Sequence, residues 1–218
     1  MDTFRNRNSS GKKITISDIA EALGVSTTTV SRAISGKGRI GADTRERVLA
    51  YIDKMDYKPN FLAQGLAKSR TFHIGMLLPE NCELADMSFF VNCMQGVCEQ
   101  AALQNYDIVM ISGLEDDISN LERMVDNHKV DGIIVSRSQE KDTAITYLKN
   151  QSIPFVLIGS SEEEQVIQVD YDRTAYHAQK QNEMTIEQLA RELGMLGCRV
   201  LLSYIEGEEV QGRKLLRI

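Results

Sequence analysis

The sequence predicts an α/β protein in which a small all-α N-terminal unit precedes a doubly wound parallel sheet. Within residues 15–35 apolar residues recur at helical spacing, whereas from Thr71 onward strand-like apolar runs alternate with helical ones. Charge divides the chain at the same place. Residues 1–70 hold 13 Lys and Arg against 7 Asp and Glu and are therefore net positive, whereas the whole 218-residue chain carries a net charge of −6. This asymmetry indicates that only the N-terminal unit meets a polyanion.

Residues 15–35 predict two short helices joined by a tight turn. Thr15 is suited to cap the first helix, with Asp18 in its first turn. Gly24 can adopt the left-handed backbone that ends a helix, and Ser26 can cap the second helix. This arrangement predicts a helix-turn-helix.

The outer face of the second helix carries short polar and cationic side chains. These are Thr27, Thr28, Ser31 and Arg32. Such a face suits a helix laid in the DNA major groove, with its N-terminal N–H groups near phosphate. The alternative is an ordinary helical hairpin with a solvent-facing threonine surface. Three consecutive threonines favour the DNA interpretation, because threonine is a poor helix former and is an unexpected choice for a helix face that contacts only water.

The segments around this hairpin have simple interpretations. Residues 1–13 are polar and basic and are predicted to be a disordered leader.

The run Gly36–Gly41 matches the spacing GxGxxG, but a helix and not a strand precedes it, so a dinucleotide site is rejected. A loop that brings Lys37 and Arg39 near phosphates is preferred.

A third helix is predicted from Ala42 to Met55 and completes a domain over residues 14–58. Its apolar face is assigned to Val48, Leu49, Ile52 and Met55. Residues 59–70 then form a hinge helix or linker, in which Asn60 caps a run too short for a stable isolated helix. The alternatives are a plain linker and a segment that folds on meeting DNA and a second copy of the chain.

Three stretches, in this order and spacing, resemble the LacI/GalR family of bacterial transcription regulators. They are TISDIAEALGVSTTTVSRAISGKG, TRERVLAYIDKMDYKPN and LAQGLAKSRT. The STTTVS run is especially similar to the purine-repressor branch. The resemblance implies a homodimer on a near-palindromic double-stranded DNA operator, with hinge helices paired in the minor groove.

The resemblance also implies roles for individual residues. Leu66 matches the leucine that kinks DNA by wedging between base pairs, and Thr27 and Thr28 match base-reading positions. Ser26 and Thr29 match positions that make either phosphate or structural contacts. Gly38 stands where the purine-repressor branch has an arginine, so that contact is not carried over, and Arg39 is a possible substitute. The predicted DNA-binding set is Thr15, Ser26, Thr27, Thr28, Thr29, Ser31, Arg32, Lys37, Arg39, Asn60 and Leu66.

Residues 71–173 are predicted to form the N-terminal subdomain of a periplasmic-binding-protein-like core. The strand-like runs HIGMLLP, YDIVMIS, VDGIIVS, IPFVLIG and VIQVD alternate with helical runs over 88–104, 117–127 and 142–150. Ligands bind such sheets beyond the C-terminal strand ends. The resemblance implies a sugar or other small metabolite as effector, with Phe90, Arg137 and Asp172 as candidate contacts. Their alternative roles are core packing, surface charge and helix N-capping.

The tail, residues 174–218, fits the family pattern poorly, and most of the second subdomain is expected to be missing. One interpretation is a lengthened family helix followed by a strand, CRVLLSYI. A second is a winged-helix unit, since TIEQLARELGM repeats the pattern of TISDIAEALGV; CRVLLSYIEGEEV would then be its second helix and QGRKLLRI its β-wing. A third is an unrelated sequence after a frameshift or fusion. A truncated or rearranged family member is preferred.

The predicted function is a DNA-binding transcriptional repressor under effector control. An enzyme is not favoured, because the sequence has no nucleophile elbow, HExxH motif or P-loop. No cofactor or metal is expected. The four cysteines form no CxxC pair and indicate a reduced, cytoplasmic protein. No apolar run is long enough to span a bilayer, so no membrane segment is expected. The rival functions are a small-molecule-binding α/β protein and a truncated product that does not regulate.

Overall fold

The computed structural model describes residues 14–36, 38–58, 61–78, 84–112, 117–136, 143–159, 166–171, 185–210 and 212–216. The chain forms two compact units, Met1–Gln64 and Gly65–Ile218. The division falls within a helix of the segment that was predicted to be a hinge or linker. Among the described helices, none is both long and apolar enough to span a bilayer.

Among its described residues, the N-terminal unit contains α1 (Ile16–Leu23), α2 (Thr27–Ser35), α3 (Ala42–Lys54) and the first half of α4 (Phe61–Lys68). The predicted caps of α1 are confirmed. Thr15 and Asp18 form a reciprocal capping box, and Gly24 ends the helix with φ of 65°. Ser26 caps α2 by accepting the Thr29 N–H at 3.1 Å. The turn between the helices therefore follows from short-range polar groups.

The core of this unit is small and fully enclosed. Ile19, Val30 and Ala33 have no exposed area, and Val48 is 1 % exposed. The prediction that Leu49 joins this core is wrong, because Leu49 is 39 % exposed. It follows Val48 by one position and is thus turned about a quarter of the way around α3. Tyr51 packs on the cluster at that level instead.

Leu49 lines an open groove of about 590 Å³ between α3 and the loop that precedes it. The rest of the lining comes from Gly36, Gly38, Ile40, Ala42, Arg45, Glu46 and Ala50. The groove is thus part apolar, with charges of both signs.

The second unit is a six-stranded, all-parallel sheet in the order β2-β1-β3-β4-β5-β6. The predicted doubly wound parallel sheet is confirmed. After α4 (Phe61–Lys68), its elements are β1 (His73–Leu77), α5 (Leu84–Ala102), β2 (Asp107–Ile111), α6 (Ser119–Asp126), β3 (Gly132–Val135), α7 (Thr143–Asn150), β4 (Phe155–Ile158), β5 (Gln168–Tyr171), α8 (Ile186–Ile205) and β6 (Arg213–Leu216).

Helices cover both faces of the sheet. One core layer joins α5 and α8 to the sheet, and the other joins α6 and α7 to the opposite face. The central strands β3 and β4 are buried along their whole length. Burial on both faces explains why these strands read as continuous apolar runs and not as alternating ones.

The described part of the tail, residues 174–218, differs from two of its predicted folds, the helix followed by the strand CRVLLSYI and the winged-helix unit. CRVLLSYI, residues 198–205, was expected to be a strand or a second short helix, but it forms the last turns of α8. A capping box of Thr185 and Gln188 starts this helix, which runs without a break for 20 residues. The following β6 pairs in parallel with β5 and extends the same sheet. The winged-helix interpretation is therefore wrong.

Close packing against α5 accounts for this outcome. A Cβ added to Gly194 would lie 2.0 Å from the carbonyl oxygen of Cys93, and one added to Gly96 would lie 2.0 Å from that of Arg191. The two backbones can approach this closely only because both positions are glycine. Arg191 also donates to Glu99 across the pair at 2.6 Å. Tertiary packing thus overrides the strand-like local sequence.

Candidate nucleic-acid interface

The two faces of α2 differ sharply in exposure. Val30 and Ala33 are completely buried. The opposite surface exposes the polar and cationic side chains that the sequence assigned to DNA, namely Ser26, Thr27, Thr28, Ser31 and Arg32. Because these side chains are exposed and do not contribute to the core, their outer surfaces can contact a nucleic acid. The structure thus places five of the predicted residues on one continuous surface.

The N-terminus of α2 combines a cap with further donors. Ser26 Oγ accepts the Thr29 N–H, and the two hydroxyl groups lie 2.9 Å apart. Thr29 is half-buried, and its hydroxyl takes part in the cap through its contact with Ser26. Of its predicted alternatives, phosphate contact or structure, this geometry favours structure. The first N–H groups of a helix have no intrahelical acceptor, and they attract anions together with the helix dipole.

Thr15 is exposed but already has polar partners. Its N–H and hydroxyl donate to the Asp18 carboxylate at 2.8 Å and 2.7 Å, while its hydroxyl oxygen accepts the Asp18 N–H at 3.3 Å. A phosphate contact by the hydroxyl would have to replace or share these bonds. The principal role visible for Thr15 is to start α1.

The loop after α2 brings Arg32 over Gly38. Gly36 ends α2 with φ of 69°, and Gly38 has φ of 91°. A Cβ on Gly38 would lie 3.2 Å from both Cδ and Nε of Arg32. The absence of a side chain at this position thus makes room for the Arg32 side chain. Arg39 is exposed nearby in sequence, and Lys37 lies outside the described residues.

Leu66 is 86 % exposed on α4, although it is a large apolar residue. The adjacent Gly65 is buried. An isolated exposed leucine is unremarkable in itself, but its position matches the wedge position that the resemblance implied. Asn60, the predicted cap of this helix, lies outside the described residues.

Only one of the three candidate effector contacts is among the described residues. Phe90 is half-buried on α5, and its ring meets that of Phe89 edge-on with centroids 5.8 Å apart. Phe89, which is also half-buried, packs against the core. Arg137 and Asp172 fall outside the described residues. Of this predicted set, the structure therefore describes Phe90 alone.

Sequence reasoning missed a polar link at the C-terminal strand ends. Ser136, 3 % exposed, donates its hydroxyl to the Leu77 carbonyl oxygen at 2.7 Å. This bond joins the ends of β3 and β1, where ligands of such sheets bind. A serine that follows an apolar run was the available signal, but the sequence alone did not identify its partner.

The thiols described here are not activated. Burial raises the pKa of both the Cys93 and Cys198 thiols to about 12. Such groups stay protonated at neutral pH and are poor nucleophiles. In the described part of the chain, no group of three or more His, Cys, Asp or Glu residues is arranged to hold a metal ion.

Comparison with known proteins identifies similar sequences for both units. Residues 15–60 match the family model of bacterial regulatory proteins of the lacI family. Residues 71–198 match that of periplasmic binding proteins and the sugar binding domain of the LacI family. These two matches cover most of the chain.

Curated relatives include two named transcriptional regulators. MalR of Streptococcus pneumoniae serotype 4 is 30% identical over 177 residues, which are 77% of this chain and 54% of that protein. RafR of Escherichia coli is 34% identical over 142 residues, covering 65% of this chain and 42% of RafR. The chain thus spans about half the length of the curated relatives it matches.

Among solved structures, the lac repressor dimer bound to operator and the anti-inducer ONPF is similar, with a TM-score of 0.55 and 19% identity. The alignment covers 94% of this chain and 66% of that one. At this level of identity the likeness establishes the fold.

Proposed function

The chain belongs to the LacI family of bacterial regulatory proteins, and we propose that it is a sequence-specific transcriptional repressor acting in the cytoplasm. In this proposal it binds a near-palindromic DNA operator as a homodimer under control of a small, sugar-like effector. The curated relatives are named transcriptional regulators, which supports a non-enzymatic role.

The exposed polar face of α2 carries the proposal. On its inner face Val30 and Ala33 are completely buried, whereas the outer face consists of exposed side chains that do not contribute to the core, namely Thr27, Thr28, Ser31 and Arg32. Threonine and arginine side chains can hydrogen-bond base edges in the major groove. Thr27, Thr28 and Arg32 are assigned to sequence reading on this basis.

Most of the affinity would come from phosphates. The basic excess of residues 1–70 and the α2 N-terminus supply positive potential without sequence preference. Lys37, Arg39 and Asn60 remain candidate phosphate contacts. Leu66 would add a minor-groove wedge at the operator centre, because an apolar side chain between base pairs kinks the duplex.

Effector binding is assigned to the C-terminal strand ends of the second unit. The match to a sugar binding domain supports a sugar-like ligand, and Phe90, half-buried on α5, offers a partly exposed aromatic ring. Arg137 and Asp172 are proposed as polar contacts. Calorimetric titration with mono- and disaccharides, with and without operator DNA, tests this part.

Operator selection on the full chain tests DNA binding. The wild type and the Thr28→Ala variant are each used to select from a random duplex library, with Thr143→Ala, an exposed threonine of α7, as the matched control. We expect the wild type and Thr143→Ala to enrich one near-palindromic site, and Thr28→Ala to lose preference at one base position in each half-site. Light scattering on the same samples measures the dimer.

Salt dependence gives an independent check. The logarithm of the affinity should fall linearly with the logarithm of the salt concentration, because bound phosphates release counterions. A chain that enriches no sequence, or whose affinity does not change with salt, would refute the proposal.

A further inference from the structure

The C-terminal half of α4 is fastened to the segment that leads into β1. The Arg70 N–H donates to the Gly65 carbonyl oxygen at 2.8 Å, and the Lys68 ammonium lies 5.5 Å from the centroid of the Phe72 ring. A Cβ on Gly65 would lie 2.4 Å from the Arg70 carbonyl oxygen. The position of Leu66 in this unit therefore depends on the path of residues 70–72.

That path is locally unfavourable. Ser69 has φ of 51° and Phe72 has φ of 58°, both in the left-handed region that side chains disfavour. Such conformations persist only where the surroundings hold them. Something outside this segment must therefore fix it.

Asp131 supplies the fixing contacts. Its Oδ1 accepts the Thr71 N–H at 2.7 Å and the Thr71 hydroxyl at 2.9 Å, and its Oδ2 accepts the Phe72 N–H at 3.0 Å. Asp131 directly precedes β3, and its own N–H donates to the His73 carbonyl oxygen at 2.8 Å. Both carboxylate oxygens are thus used, and the register between β1 and β3 holds the aspartate in place.

Two further contacts flank the hydrogen bonds that Asp131 accepts from Thr71 and Phe72, which together form the Asp131 clamp. The Arg70 guanidinium donates to the carbonyl oxygen of Ile205, the last residue of α8. The Phe72 ring packs edge-on against Tyr106, with centroids 5.4 Å apart. The segment is therefore held on both sides, and the Asp131 carboxylate is the charged acceptor for the Thr71 and Phe72 backbone N–H groups.

We propose that Asp131 is a positioning residue for operator binding, which acts by holding the end of α4 so that Leu66 is presented in one orientation. This inference rests on the proposed function. In this role the Asp131 clamp acts through α4 and not by touching DNA. Its loss leaves the phosphate-binding residues of the N-terminal unit unchanged and removes the fixed direction of the wedge.

The test is Asp131→Asn in the full chain. The amide keeps the size but offers a single acceptor oxygen, and its NH₂ group would face a backbone N–H. We expect affinity for the selected operator to fall about tenfold or more, while affinity for random duplex stays within about twofold. Asp126→Asn is the matched control, because Asp126 accepts the Tyr147 hydroxyl at 2.7 Å elsewhere in the same unit.

A double-mutant cycle with Leu66→Ala separates positioning from general stability. If Asp131 acts through Leu66, removing the leucine costs less operator affinity in Asp131→Asn than in the wild type. Additive losses, or equal losses on operator and random duplex, would overturn the inference. If Asp131→Asn does not show a cooperative thermal transition, Thr71→Val takes its place in the same cycle. This variant removes the hydroxyl bond to Asp131 and the bond that the hydroxyl oxygen accepts from the His73 N–H at 3.1 Å, and leaves both backbone N–H bonds to Asp131 in place.

The outcomes also separate this inference from the proposed function. A wild-type chain that prefers no operator overturns both. A wild-type chain with a clear operator preference that Asp131→Asn leaves intact overturns only the role of Asp131.

Discussion

Leu66→Ala is the sharpest single test of how this chain would hold an operator. Leu66 is 86 % exposed, so truncating it removes almost no packing from the free protein. We expect the free energy of unfolding to change by less than about 0.5 kcal/mol, as is usual for surface substitutions. Any large effect on DNA binding must therefore arise in the complex.

The magnitude follows from the area that the wedge would bury. Apolar burial contributes about 0.8 kcal/mol per CH₂ group, so Leu→Ala at a fully buried contact costs about 2 kcal/mol. At about 1.4 kcal/mol per decade, this corresponds to roughly thirtyfold weaker operator binding. Random duplex offers no kinked step to receive the side chain, so its affinity should change by less than about twofold.

The assay is fluorescence anisotropy on the selected operator and a scrambled duplex at one fixed salt concentration. End-labelled operator reports the kink independently through energy transfer. Leu103→Ala is the control, because Leu103 is 70 % exposed but is far from α4 in sequence and belongs to the turn after α5. Equal losses on both duplexes, or an unchanged kink, would show that Leu66 is not a wedge.

Three other substitutions or treatments have defined outcomes. Gly38→Ala and Gly24→Ala both place a side chain at positive φ, so each variant should lose about 1–2 kcal/mol of stability. Only Gly38→Ala should alter the selected operator, because its Cβ meets Arg32 whereas a Cβ on Gly24 has no neighbour within 4 Å. Identical selected operators from both variants would contradict this. Gly194→Ala should destabilise the second unit by about 3 kcal/mol or more, because its Cβ would overlap a backbone carbonyl of α5, and thermal denaturation measures this. Iodoacetamide at about pH 8 should leave Cys93 unmodified until the chain is denatured, because burial raises its pKa to about 12 and thiolate is the reactive form.

The N-terminal helices were predictable because their signals are local. Thr15 and Asp18 cap α1 from positions three residues apart, and Ser26 reaches only to Thr29. Gly24 ends α1 through its own backbone preference. Each of these features depends on neighbours that a single stretch of sequence contains.

The helix α8 was not predictable from the same kind of reasoning. Its second half reads as a strand, and Gly194 within it suggests a break. In the structure that glycine instead allows the backbone of α5 to approach, since both Gly96 and Gly194 face the partner helix. The deciding contact joins residues about a hundred positions apart, and no local pattern encodes it.

Asp131 illustrates the same limit within a region whose secondary structure was predicted well. The run VDGIIVS predicts a strand, and β3 is indeed there, with the aspartate just before its start. Its hydrogen-bond partners, Thr71 and Phe72, precede β1, and parallel pairing of β1 with β3 brings the two strand starts together. The carboxylate therefore acquires its role from sheet order and not from its own sequence neighbourhood.

This division between local and long-range determinants has a consequence for variants. Substitutions on the exposed face of α2 change groups that local signals already place, so they should change which sequence is bound. Substitutions at Asp131 or along the segment before β1 change where Leu66 lies, so they should change how strongly the preferred sequence is separated from random DNA. A variant series that measures both quantities can therefore assign each residue to reading or to positioning, because the two groups of residues lie in different units of the chain.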